Sequence, residues 1–243
     1  MKREKSSKET KLFQDTLKEK YMPIPEQVQK FKRPLAREEV YTTLQTWIVE
    51  GVYQPGEIIR DQDLADALGV SRTPVREARP RLQDEGFVET ATNRWTRVAT
   101  LDLDEVRHLY PIIWTLEMLA ISLAQHRLLT NDLERMREAN ACLYEALTNK
   151  DAIAASKADY DFHQVFISLS ANPDLMRILH EVKIRLRWLE VVYFRELVVA
   201  IQSLKEHEAI LDALEKGLYE QAAQAIKTNW EESLKRVLSG TGS

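Results

Sequence analysis

Arg72, Arg76, Arg79 and Arg81 crowd the short stretch SRTPVREARPRL (71–82), against a single acid, Glu77. Guanidinium groups at that density suit nucleic acid. An arginine fork matches the O6 and N7 edge of guanine, and any arginine can neutralise a backbone phosphate. A solvated basic face is the plain alternative. Pro80 lies in the same stretch, where it lacks the N–H that a helix would bond to the Arg76 carbonyl. A second group points to other chemistry. In DYDFH (159–163), Asp159 and His163 are four apart, so a helix sets them on one face as two ligands of one ion. The same spacing is common in helices without an ion, as a buried hydrogen-bonded pair. No separate nucleophile and base of an enzyme are legible. Cys142 is the only cysteine, so no internal disulfide forms, and a reducing cytoplasm is the simple reading.

The elements that must place these residues follow from apolar periodicity. In AREEVYTTLQTWIVEG (36–51), Val40, Leu44, Trp47 and Ile48 form one helical stripe. EIIR (57–60) reads as a short strand. Asp61 caps a second helix with Leu64, Ala65 and Leu68 inward and Gly69 as its stop. Ser71 is the N-cap of a third, whose apolar face is Val75, Ala78 and Leu82. FVET and WTRVA flank ATNR as a hairpin. Helix, strand, helix, tight turn, helix and hairpin is the order of a winged helix-turn-helix. In that unit the first residues of the last helix meet base edges in the major groove. Pro80 predicts a kink there that leaves Arg72, Thr73 and Arg76 intact, because they precede it.

Residues 101–243 read as six amphipathic helices near 103–127, 130–149, 151–170, 173–196, 199–216 and 218–238, an antiparallel bundle. Scarce glycine and proline (7 and 8) agree with a mainly helical chain. No apolar run is long enough for a membrane, and MKREKSSKET lacks the apolar core of a signal peptide. The net charge of −4 does not itself indicate nucleic acid. Residues 1–34, however, carry ten basic against five acidic side chains. They read as a basic, flexible arm, with added phosphate contacts as the alternative.

The stretch VYQPGEIIRDQDLADALGVSRTPVREA, followed by DEGFVE, resembles the DNA-binding domain of GntR-type bacterial transcription regulators. The later segments LE (116–117), DYDFH, ANPDL (171–175) and EHEAILDALEKG (206–217) resemble the FCD-type helical effector domain of the FadR subfamily. The resemblance covers roughly residues 36–238. It implies a homodimer on an approximately palindromic double-stranded DNA operator, released by a small-molecule effector, an organic acid being one class. It implies base reading by Arg72, Thr73 and Arg76, and backbone or minor-groove contacts by Ser71, Asn93 and Arg94. It also implies a divalent zinc, nickel or manganese ion on Asp159, His163, His207 and a last position held here by Asn229.

The chain departs from the family pattern at several places. Arg79-Pro80 replaces a leucine and a polar residue, so Arg79 must snorkel or disturb packing. Trp95 stands in place of a wing glycine, and Ile113 in place of an arginine that commonly meets an acidic effector group. Arg187 on the helix KIRLRWLEVVYFRE is a candidate anion partner in its stead. Three readings of the ion site stay open: three ligands with open positions, Asn229 as a weak fourth, or a metal-free pocket that binds an organic ligand directly.

The reading as a whole is a mainly α chain. An arm at 1–34 precedes a winged helix-turn-helix at 35–100, a helical effector-binding and dimerisation domain at 101–238, and a tail at 239–243. A cytoplasmic ligand-responsive regulator, in particular a repressor, is the leading function. A metal-dependent hydrolase-like enzyme and a DNA-binding protein with a dead effector site are the alternatives.

Overall fold

The computed structural model describes residues 36–91, 95–100, 104–193 and 201–240. The basic arm, the wing-tip residues Asn93 and Arg94, and the last residues of the tail lie outside them. The chain divides into two units, one of residues 1–48 with 52–99 and one of residues 49–51 with 100–243.

In the first unit, α1 (Ala36–Val49) is followed by β1 (Ile58–Ile59), α2 (Asp61–Leu68), α3 (Arg72–Asp84), β2 (Val88–Ala91) and β3 (Trp95–Val98). The stripe Val40, Leu44, Trp47 and Ile48 is buried, as are Leu64, Leu68, Val75, Ala78, Leu82 and Phe87 of the elements that follow. Each large apolar side chain so buried contributes about 1.5–3 kcal/mol. Gly69 ends α2 with φ +65, a left-handed conformation that favours glycine. This sets the tight turn into α3. The hairpin pairs antiparallel from Val88↔Val98 to Ala91↔Trp95, and β1 adds to the other edge of β3, giving the order β1-β3-β2.

Two local expectations change. Ser71 has the extended backbone of an N-cap, but its side chain makes no capping hydrogen bond. Asp61 does not cap α2; it is the first helical residue, with Arg60 at the cap, because its carboxylate turns to arginines of α3. α3 runs on past Pro80 to Asp84. Its last turn is held by Leu82, buried in the core, and by Arg81. The Arg81 guanidinium reaches Glu38 of α1 at 2.7 Å and Glu85 at 3.0 Å and lies 3.6 Å over the Tyr41 ring.

The second unit holds six helices among the described residues: α4 (Glu105–Ala124), α5 (Thr130–Thr148), α6 (Ala152–Leu169), α7 (Pro173–Tyr193), α8 (Ile201–Glu215) and α9 (Tyr219–Gly240). Local chemistry sets their starts. Asp132 accepts the Leu129 N–H at 3.0 Å, Asp151 the Ala154 N–H at 2.9 Å, and Asn172 the Leu175 N–H at 3.1 Å. α4 packs on α9 and α7, and α5 on α6 and α8. The core contains Tyr110, Ile113, Phe162, Phe166, Leu189, Ile226 and Trp230. Set into that apolar interior are Glu117, His163, Lys183, His207 and Asn229, all buried. No helix among the described residues is long and apolar enough to cross a membrane.

Candidate nucleic-acid interface and metal centre

The four arginines of α3 divide by role. Arg81 clamps α3 to α1, as above. Arg79 neither enters the core nor disturbs it. It lies beside buried Ala78 and snorkels outward, donating to Thr96 Oγ1 of β3 at 3.0 Å and pairing with Asp61 at 3.5 Å. It therefore ties α3 to α2 and to the wing. Arg72, Thr73 and Arg76 remain exposed with Ser71 at the N-terminal half of α3. Arg76 Nε lies 3.1 Å from Asp61, yet its side chain is 54% exposed, so the pair is weak and the guanidinium is free to turn. Arg60, Arg72, Arg76, Arg79 and Trp95 help line a groove of about 1140 Å³ between the helix and the wing. Trp95, at the start of β3, packs under the Arg97 guanidinium at 4.5 Å, and Arg97 is held by Glu89 across the hairpin at 2.7 Å.

In the second unit, the ligand-capable atoms of Asp159, His163 and His207 all lie within 4.8 Å of one another. The i, i+4 spacing on α6 supplies the first two, and α8 brings the third. The His163 Nδ1 is 2.7 Å from Glu117 Oε2, and the His207 Nδ1 is 2.9 Å from Asn140 Oδ1. Both acceptors place the ring proton on Nδ1 and leave Nε2 bare. Both Nε2 atoms are buried without a hydrogen-bond partner, and that of His207 stands 3.4 Å from Asp159 Oδ1. The Phe162 ring stacks on His207 at 3.9 Å and holds its plane.

Electrostatics put these groups in their ligating forms. Burial lowers the His207 pKa, which keeps the imidazole neutral. Burial alone would raise Asp159, but the surrounding charge, the Lys183 ammonium included, outweighs it and keeps the carboxyl ionised. Neutral imidazole and ionised carboxylate are the forms that bind a divalent ion. Two bare buried ring nitrogens beside a carboxylate are costly without an occupant, so the donor set fits one. Asn229 is buried, and its Nδ2 donates to Glu206 at 2.9 Å; Glu206 is in turn clamped by Arg236 at 2.7 Å.

Three residues of α7 complete the surroundings. Lys183 donates to Glu117 Oε1 at 2.5 Å, and Arg187, one turn on, is mostly buried with its Nε lacking a hydrogen bond. Glu190 follows on the same face and accepts from Tyr110, whose hydroxyl also meets Ser233, both at 3.1 Å. Burial, and then Asp159, push Glu190 up to about 8. Ile113 is fully buried in the apolar core and offers no charge. Among the other histidines, the exposed His180 meets the Tyr160 hydroxyl at 3.1 Å.

Sequence reasoning missed Glu117, Lys183, Asn140 and Glu190 as neighbours of the triad. A signal existed for two of them. Glu117 follows Ile113 by four residues, and Lys183 lies between Leu179 and Leu186, so each charge interrupts an apolar stripe.

Residues 36–98 match the model of bacterial regulatory proteins of the gntR family, and residues 108–232 match that of the FCD domain. The chain is 27% identical over 207 residues to the uncharacterized HTH-type transcriptional regulator YdhC of Bacillus subtilis, which spans 82% of this chain and 91% of that protein. It is 27% identical over 179 residues to a probable D-xylose utilization operon transcriptional repressor of Paenarthrobacter nicotinovorans, covering 74% and 78%. The solved structure of McbR/YncC of E. coli superposes with a TM-score of 0.76 at 20% identity, over 85% of this chain and 99% of that one, a likeness of fold. These relatives are regulators of transcription, which sets the hydrolase-like reading aside. Reading helix, wing and helical bundle together, the chain belongs to the GntR family of bacterial transcription regulators, with an FCD domain as its second part.

Proposed function

We propose that this regulator binds an approximately palindromic DNA operator as a homodimer and that a small molecule bound beside a divalent ion in the second unit releases it. The observation that carries the DNA reading is the division of labour on α3. Arg79 and Arg81 are committed to the fold, whereas Arg72, Thr73 and Arg76 stay exposed at the end that meets base edges. Ser71 is exposed beside them, and the family resemblance assigns backbone or minor-groove contacts to it and to Asn93 and Arg94, which lie outside the described residues. The repressor named above among the relatives supports repression as the sign of control.

Asp159, His163 and His207 would hold the ion, zinc, nickel or manganese, and Asn229 stays with Glu206. An ion held there would supply a Lewis-acidic anchor for an oxygen-rich effector. Arg187 offers a positive partner for an organic acid from α7. Release requires that the effector bind the two dimer geometries with different affinity. Ile112 and Leu119, two turns apart on α4 and 43% and 45% exposed, support a partner-covered face there.

The test is the metal content per chain of protein purified without tag or chelator, with His163→Ala beside it. One divalent ion that the variant loses is the expected result. No ion, even after dialysis against zinc, nickel and manganese, leaves a directly hydrogen-bonded ligand or none.

A further inference from the structure

We propose that Glu117 is the positioning residue for His163, with Lys183 as its counter-charge, so that the ion is held through a four-helix polar knot; the proposal rests on the metal reading above. Glu117 is fully buried on α4 and accepts from three other helices. His163 of α6 approaches Oε2 at 2.7 Å, Trp230 Nε1 of α9 shares that oxygen at 2.7 Å, and Lys183 of α7 takes Oε1 at 2.5 Å. Three donors fill the carboxylate.

Stability alone does not call for the pair, since a buried ion pair replaced as a whole by apolar side chains is often no less stable. What the carboxylate does supply is direction. An anion accepts, so His163 must present its proton at Nδ1 and its lone pair at Nε2. That Nε2 is the buried atom without a partner beside Asp159 and His207. Lys183 donates to the other oxygen and offsets the cost of the buried negative charge. Negative charge behind the ring also strengthens Nε2 as a donor to a metal.

His207 has the same arrangement with a neutral partner. Asn140 Oδ1 takes its Nδ1 proton at 2.9 Å. The two rings are thus aimed alike but backed unequally, and His163 gains more from its support than His207 does.

Two measurements test this. The first is NMR of ring-15N-labelled histidine in the metal-free full chain. His163 as the Nδ1–H tautomer is expected, and the Nε2–H tautomer overturns the proposal. The second is zinc affinity by competition with a chromophoric chelator, for wild type, for Glu117→Gln combined with Lys183→Met, and for Glu117→Asp. The double variant removes both charges together and leaves no orphaned cation. Glu117→Asp keeps the charge but withdraws it by one methylene, and covers the case in which the double variant fails to fold. Zinc binding about 10- to 100-fold weaker, at unchanged helical circular dichroism, is expected. Wild-type affinity in a folded variant overturns the proposal while the metal site stands. A wild-type chain that takes up no zinc removes the metal reading, and the proposal with it.

Discussion

Pro80→Ala should stabilise the first unit without changing what it reads. Pro80 lies inside α3, four residues before the helix end, with its side chain exposed. Alanine there loses no packing and regains an N–H that can meet the Arg76 carbonyl. An interior proline costs about 3 kcal/mol relative to alanine. Proline returns about 0.4–1 kcal/mol of that by stiffening the unfolded chain. The net gain is therefore about 2 kcal/mol. With an m-value of about 2 kcal/mol per molar urea, the midpoint of the unit should rise by roughly 1 M. Urea unfolding followed by 19F NMR of fluorotryptophan-labelled protein, which resolves Trp47 and Trp95 from Trp114, Trp188 and Trp230 of the second unit, measures it. Sequence preference on DNA should not change, because Arg72, Thr73 and Arg76 lie on the other side of the substitution. An unchanged or lowered midpoint would refute the reasoning, and would mean that α3 accommodates the proline without strain or needs it to present the wing.

Other consequences are as concrete. Asn229→Ala should keep one divalent ion per chain, since Asp159, His163 and His207 already gather three ligand atoms; loss of the ion would make Asn229 Oδ1 a ligand. Glu190 should weaken the fold as pH rises. Its folded value, about 8, exceeds the ordinary 4.5, so the folded chain binds the proton more tightly. That contribution is complete below pH 4.5 and fades towards pH 8, by up to about 1.4 kcal/mol per unit. Glu190→Gln should therefore flatten the pH dependence of the urea midpoint between pH 5 and 8, and a parallel decline in both proteins would count against it. Leu119→Glu should place a charge on the exposed apolar face of α4 and yield a monomer in sedimentation, with operator affinity lost alongside; an unchanged dimer would put the interface elsewhere.

Local rules carried a large part of the fold. Apolar stripes located each helix, and Gly69, Asp151 and Asn172 mark turns and caps that depend on neighbours in sequence. Where tertiary partners compete, the local rules failed. Asp61 is a good cap by type, yet two arginines from α3 take its carboxylate. The site divides in the same way. Asp159 and His163 share a helix, so their spacing was legible; His207 needed the family resemblance. Glu117, Lys183 and Asn140 meet the triad only through packing of α4, α5 and α7, and no sequence spacing records that.

The central claim is that the exposed half of α3 reads DNA. The most direct measurement is selection of duplexes from a random pool by the wild-type protein and by Arg76→Ala at the same salt. The account predicts two guanine-containing half-sites related by a two-fold axis for the wild type. It predicts loss of that preference in the variant, at unchanged metal content and oligomeric state. The same selected sequence in both proteins, or no preference in the wild type, would contradict it.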